Sequence, residues 1–137
     1  MDFSGAAVRY RDDFLTGEFG NKKNRTAAID LARQTIDTVS EMGGDTVTIW
    51  LAYDGYNYSF QIDYASYWSD VISSFQDIAD HNKNIRISIE FKPWEPRTFS
   101  IIPNTGTTLH ALNCIDRDNV GMTLDYCHSL MAGENPA

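Results

Sequence analysis

The sequence predicts an α/β fold on a parallel sheet: about four strands with three intervening helices, forming part of a (β/α)8 TIM barrel. Three observations carry this expectation. Strand-like and helix-like segments alternate from end to end of the 137 residues. Each strand-like segment alternates apolar and polar side chains, so each has one face for a core and one for something else. The polar set ends in acids at the C-terminal ends of the last two strands, where barrel enzymes place their chemistry. The clearest case is Ile85-Arg86-Ile87-Ser88-Ile89-Glu90-Phe91-Lys92-Pro93, with isoleucines on one face and Arg86, Ser88, Glu90 and Lys92 on the other. The segment Asn119 to Asp125 repeats the design, with Val120, Met122 and Leu124 opposite Gly121, Thr123 and Asp125, and His128 follows in the next loop.

The remaining elements follow from local patterns. A first strand is expected over Ala6 to Arg11. A helix over Thr26 to Met42 is implied by Ile29, Ala32, Ile36 and Val39 at helical spacing, with Gly43-Gly44 supplying a left-handed stop. The second strand, Thr46 to Leu51, sets Val47, Ile49 and Leu51 against Thr46, Thr48 and Trp50, and Asp54-Gly55 then reads as a turn. A second helix over Tyr64 to His81 has Tyr64, Trp68, Val71, Phe75 and Ile78 as its buried stripe. Pro93 and Pro96 end the third strand, and a third helix covers Gly106 to Ile115. A doubly wound sheet, buried on both faces, would show continuous apolar runs; alternation in every strand favours a barrel wall, and no glycine-rich phosphate fingerprint follows any strand.

Composition narrows the function. With 42% hydrophobic and 12% aromatic residues the chain is globular and forms a single domain over residues 1–137. A net charge of -8 argues against neutralising phosphate backbones, so no nucleic-acid partner is expected. Cys114 and Cys127 lack metal-type spacing. Neither a secretory segment nor a membrane-spanning apolar run is present, so a cytoplasmic location and no membrane partner are expected.

Glu90 and Asp125, carried on neighbouring parallel strands, can chelate a divalent cation, and His128 adds a nitrogen ligand that manganese, cobalt or zinc accepts. Two other readings stay open: Glu90 and Lys92 as a structural ion pair, and Glu90 with Asp125 as the paired carboxylates of a metal-free glycosidase. Trp50 is either barrel filling or a flat wall for a sugar ring. His81 and His110, on helices, carry no such expectation.

Three stretches then resemble successive motifs of the xylose isomerase-like barrel superfamily, nearest to its bacterial L-rhamnose isomerase type: Trp50-Leu51-Ala52-Tyr53-Asp54-Gly55-Tyr56-Asn57-Tyr58, Ile89-Glu90-Phe91-Lys92-Pro93-Trp94-Glu95-Pro96, and Leu124-Asp125-Tyr126-Cys127-His128. The resemblance implies a metal-dependent sugar isomerase or epimerase acting on a monosaccharide, with manganese, cobalt, magnesium or zinc as cofactor. It implies that Glu90 and Asp125 ligate the structural metal and that His128 binds a catalytic metal or the sugar. Lys92 would contact oxygens near the reacting carbonyl, and Trp50 would line the sugar pocket. A catalytically inert sugar-binding or assembly module, and a metal-dependent phosphoesterase of the same superfamily, are the alternatives.

A full barrel takes about 250 residues, so the chain corresponds to the central part of one, strands three to six by resemblance. The remaining family ligands, a histidine and a further acid, come from the last two strands. Either a truncated reading frame or a homo-oligomer formed through the exposed edges of the first and fourth strands is expected.

Overall fold

The computed structural model describes residues 3–8, 17–51, 53–95 and 98–136. In chain order these form β1 (Gly5–Val8), α1 (Arg25–Glu41), β2 (Thr46–Trp50), β3 (Gly55–Tyr56), α2 (Tyr64–His81), β4 (Arg86–Glu90), β5 (Trp94–Glu95), β6 (Thr98–Ser100), α3 (Thr105–Ile115), β7 (Val120–Thr123) and α4 (Tyr126–Met131). The main sheet is parallel and ordered β1-β2-β4-β7, each step bridged by one long helix. This is the wall of a partial TIM barrel, the fold class the sequence predicts.

The helices cover one face of that wall. Val47, Ile49, Ile87 and Ile89 are buried in a core shared with Ala28, Ala32, Ile36 and Val39 of α1, Val71, Phe75 and Ile78 of α2, and Ala111 and Ile115 of α3. Phe19 joins it, meeting Phe75 edge-on at 5.2 Å. The other face carries Thr46, Thr48 and Trp50 of β2, Ser88 and Glu90 of β4, and Gly121 and Thr123 of β7, all half-buried. Period-two alternation thus separates a packed face from a polar concave one, and the concave face delivers the site.

Helix ends follow side-chain chemistry. Gly43 adopts φ 76° and stops α1, its N–H bonded to the Ser40 carbonyl while that of Gly44 reaches Val39. The Asp63 carboxylate caps α2 by accepting from the N–H groups of Ala65 and Ser66, and Asn104 caps α3 by accepting from Thr107.

Three expectations are revised, and that for the first strand is met over the described part of its range. β1 runs from Gly5 to Val8, and the remainder of the predicted first strand, residues 9–11, lies outside the described residues. In α2 the buried stripe is entered at Tyr67; Tyr64, which follows the cap directly, is exposed and Trp68 is half-buried. The stripe 67, 71, 75, 78 keeps the period: Tyr67 takes the place expected of Trp68, and Tyr64 falls outside the stripe. After Pro93 the chain forms β5 and β6; β6 pairs antiparallel with β5 on one side and β3 on the other, a small second sheet built from segments too short to show alternation. Finally, β7 ends at Thr123, and His128 lies in α4 rather than in a loop.

Candidate metal centre

Parallel register builds the centre. Trp50 of β2, Glu90 of β4 and Thr123 of β7 lie level across the wall. All three face the concave side. One step earlier, the Ser88 and Thr123 hydroxyls hydrogen-bond at 2.6 Å and tie β4 to β7 beneath Glu90. Asp125, two residues past Thr123, continues the same face at the rim.

Asp125 then becomes the N-cap of α4, its Oδ1 accepting the His128 N–H at 3.0 Å. That bond turns the first helical turn back over the strand end and brings the imidazole to the carboxylates. His128 Nδ1 lies 3.6 Å from Glu90 Oε1 and 3.9 Å from Asp125 Oδ2. One ligand atom from each of Glu90, Asp125 and His128 falls within 4.8 Å of the others. The sequence-predicted ligands therefore converge.

The donor set fits a divalent cation. His128 Nδ1 is buried and has no hydrogen-bond partner, although two carboxylate oxygens face it. Separations of 3.6 and 3.9 Å are too long for hydrogen bonds and leave space for an ion that all three atoms could reach at normal coordination distances. Two oxygens and one imidazole nitrogen suit manganese, cobalt or zinc. Asp125 divides its work, Oδ1 fixing the helix and Oδ2 facing the imidazole. The His128 backbone N–H, aided by that of Cys127 and by the Lys92 ammonium, holds its carboxyl below the usual carboxylate range against partial burial.

Lys92 does not pair with Glu90. Its ammonium forms an ion pair with Glu95, three residues on and across Pro93, and lies 5.1 Å from the centre of the Trp50 ring. A structural Glu90–Lys92 bridge is thereby replaced by a Lys92–Glu95 bridge, because Pro93 and β5 fold Glu95 back onto the ammonium. Glu95 was missed by sequence reasoning; its i,i+3 spacing from Lys92 was the available signal. Trp50 borders this group, and its indole Nε1 is buried without a partner.

The chain belongs to the xylose isomerase-like TIM barrel family, whose profile matches residues 10–137. It is 25% identical over 116 residues to the xylose isomerase of Thermus thermophilus, covering 81% of this chain and 30% of that one. Its fold matches the structure of L-ribulose 3-epimerase with a TM-score of 0.72 at 19% identity, over 96% of this chain and 43% of that one. It also matches the IOLI protein with a binding zinc atom, with a TM-score of 0.68 at 18% identity, over 95% and 42% of the two chains. At the family level the kinship is to xylose isomerase-like proteins, and the likeness to the epimerase is one of fold. The chain spans less than half the length of each of these proteins. Among the described residues no helix is long and apolar enough to cross a membrane.

Proposed function

We propose that this chain supplies the metal-binding and sugar-binding wall of a divalent-metal-dependent isomerase or epimerase acting on a monosaccharide. The observation that carries the reading is the orphaned, buried Nδ1 of His128 facing the Glu90 and Asp125 carboxylates, all on the concave face at the C-terminal strand ends.

When bound, the cation would polarise the sugar carbonyl and offset the charge that develops as hydrogen moves between neighbouring carbons. The chain's own groups do the rest. Glu90 and Asp125 supply negative charge and His128 a neutral nitrogen ligand, its ring held over the strand ends by the Asp125 cap. Lys92, fixed between Glu95 and Trp50, presents ammonium N–H groups toward oxygens next to the reacting carbonyl. The Trp50 ring offers a flat apolar wall to the sugar's C–H face, and its unpartnered indole N–H can donate to a hydroxyl. A metal-free glycosidase suits the site less well, because the imidazole lies against both carboxylates where the scissile bond would need room. The kinship to an L-rhamnose isomerase type rests on the three motifs alone. The outer edges of β1 and β7 carry no partner strand among the described residues, and we read them as the surfaces through which copies associate.

The test is metal content of the purified protein by mass spectrometry, followed by titration of manganese, cobalt, magnesium and zinc into stripped protein. Stoichiometric binding by the native protein and its loss in Glu90→Gln are expected. Absence of binding and of any thermal shift would overturn the reading. Conversion of rhamnose, lyxose, xylose or tagatose by metal-loaded protein then separates an enzyme from an inert sugar-binding module.

A further inference from the structure

Glu18 lies in the connection between β1 and α1, and Asp54 in the turn between β2 and β3. Both sit beyond the C-terminal ends of their strands, at the same end of the sheet as the metal centre. Glu18 is 0% exposed, yet neither Oε1 nor Oε2 has a hydrogen-bond partner. A carboxylate in that position has lost its water, and the nearby backbone N–H groups of Glu18 and Tyr53 offset only a small part of that loss. Asp54 is equally buried but fully served. Its Oδ1 accepts from the N–H groups of Gly20 at 2.8 Å and Glu18 at 3.1 Å and from the Tyr67 hydroxyl at 2.8 Å, while Oδ2 accepts from the Phe19 N–H at 2.8 Å. Four hydrogen bonds favour a charge on Asp54, whereas no donor reaches Glu18 in hydrogen-bond geometry.

We propose that the two carboxyls share one proton, that it resides on Glu18, and that the neutral Glu18 acid bonded to Asp54 is a catch. It fastens the β1–α1 connection to the β2–β3 turn and is released by alkali. A hydrogen on Glu18 gives the orphaned carboxyl a partner: Glu18 becomes a donor, and the Asp54 carboxylate beside it accepts. A metal ion would answer the same need, but the packing is close. A Cβ added at Gly17 would lie 2.4 Å from the Tyr67 hydroxyl, and one at Gly20 only 1.9 Å from Tyr67 Cε1.

The electrostatics agree. Burial, and next the charge of Asp54, push the Glu18 carboxyl up to about 10. Burial pushes Asp54 up as well, against its donors, and burial with the Asp54 charge pushes Tyr67 up, so the phenol keeps its proton. Arg25 of α1 is directed elsewhere, to the Phe19 carbonyl at 2.7 Å and to Asp70. For an acid whose value rises on folding, the stabilising contribution is complete below the ordinary 4.5, shrinks through the interval up to about 10, and is gone above it.

Glu18→Gln mimics the protonated acid permanently. Its melting temperature should hold between about pH 5 and 9, where that of the native protein falls, so the gap widens with pH. Infrared difference spectra of native protein labelled at glutamate should show a protonated-carboxyl C=O band at neutral pH that Glu18→Gln lacks. Should Glu18→Gln fail to fold, loss of that band from the native protein only at alkaline pH decides the matter. Parallel melting profiles with no such band would overturn the proposal. So would a rise in melting temperature with sodium, potassium or calcium in the native protein that Glu18→Gln does not share.

Discussion

Asp125 and His128 hold each other by two different atoms: the carboxylate Oδ1 accepts the histidine's backbone N–H at 3.0 Å, and Oδ2 faces its Nδ1 at 3.9 Å. One side chain therefore starts a helix and shapes the proposed metal centre, and the two duties can be separated by substitution. Asp125→Asn retains an oxygen that can cap α4, so the fold should hold, while metal affinity falls by more than about 100-fold. Asp125→Ala loses the cap too and should cost a further ~1 kcal/mol. Calorimetric metal titration and thermal melting of both variants check this. The sign of the pH effect follows from the lowered Asp125 value: the charged cap stabilises above the ordinary 3.8 and is lost as pH falls through the lower folded value. The melting gap between native protein and Asp125→Asn should close over that acid range.

Lys92 is held by Glu95 on one side and the Trp50 ring on the other. Glu95→Gln keeps the shape and removes the charge that restrains the ammonium. Metal affinity should change by less than about twofold, because Glu95 is not among the three converging ligand residues. Under the proposed function, turnover by metal-loaded protein should fall on the order of 10 to 100-fold through misplacement of Lys92. Steady-state kinetics beside a metal titration distinguishes this from a structural defect, which would lower both.

The barrel wall was legible because it is repetitive. Val47, Ile49, Ile87 and Ile89 alternate with polar partners over enough residues to declare one packed face, and the three long helices show their stripes at the right period. Glu90 and Asp125 could be placed at strand ends by counting in twos. What escaped depends on contacts between distant segments. β3, β5 and β6 are two or three residues each and exist only by pairing with one another. Asp54 reads as a turn residue, and nothing local reveals that the N–H groups of residues 18–20, more than thirty positions earlier, converge on it. The sequence places His128 in a loop because α4 spans only six residues, shorter than a reliable helical period, and its start is set by the Asp125 cap.

Trp50 carries a buried indole N–H without a partner, level with Glu90 across the sheet. Trp50→Phe preserves a flat apolar wall and removes the donor. Because the lost group is unsatisfied in the free protein, the net stability change should stay within about 1 kcal/mol. Sugar affinity, measured calorimetrically on metal-loaded protein, should drop roughly 5 to 10-fold, the loss of one hydrogen bond. An unchanged affinity would leave Trp50 as wall filling only.

Two glycines test how tightly the rim is built compared with the concave face behind it. A Cβ at Gly55 would lie 1.8 Å from the Phe99 carbonyl oxygen, a backbone atom that cannot swing aside, whereas a Cβ at Gly121 meets nothing within 4 Å. Gly55→Ala should therefore force β3 off β6, displace the Asp54 turn and cost about 3 kcal/mol or more. Gly121→Ala, on the open face of β7, should gain about 0.5 kcal/mol by restricting the unfolded chain. Chemical denaturation of the two variants measures both signs. Since β3 and β6 belong to the sheet that carries Trp94 and Glu95 of β5, Gly55→Ala should also lower turnover through Lys92 while leaving the Glu90, Asp125 and His128 affinity for metal nearly intact.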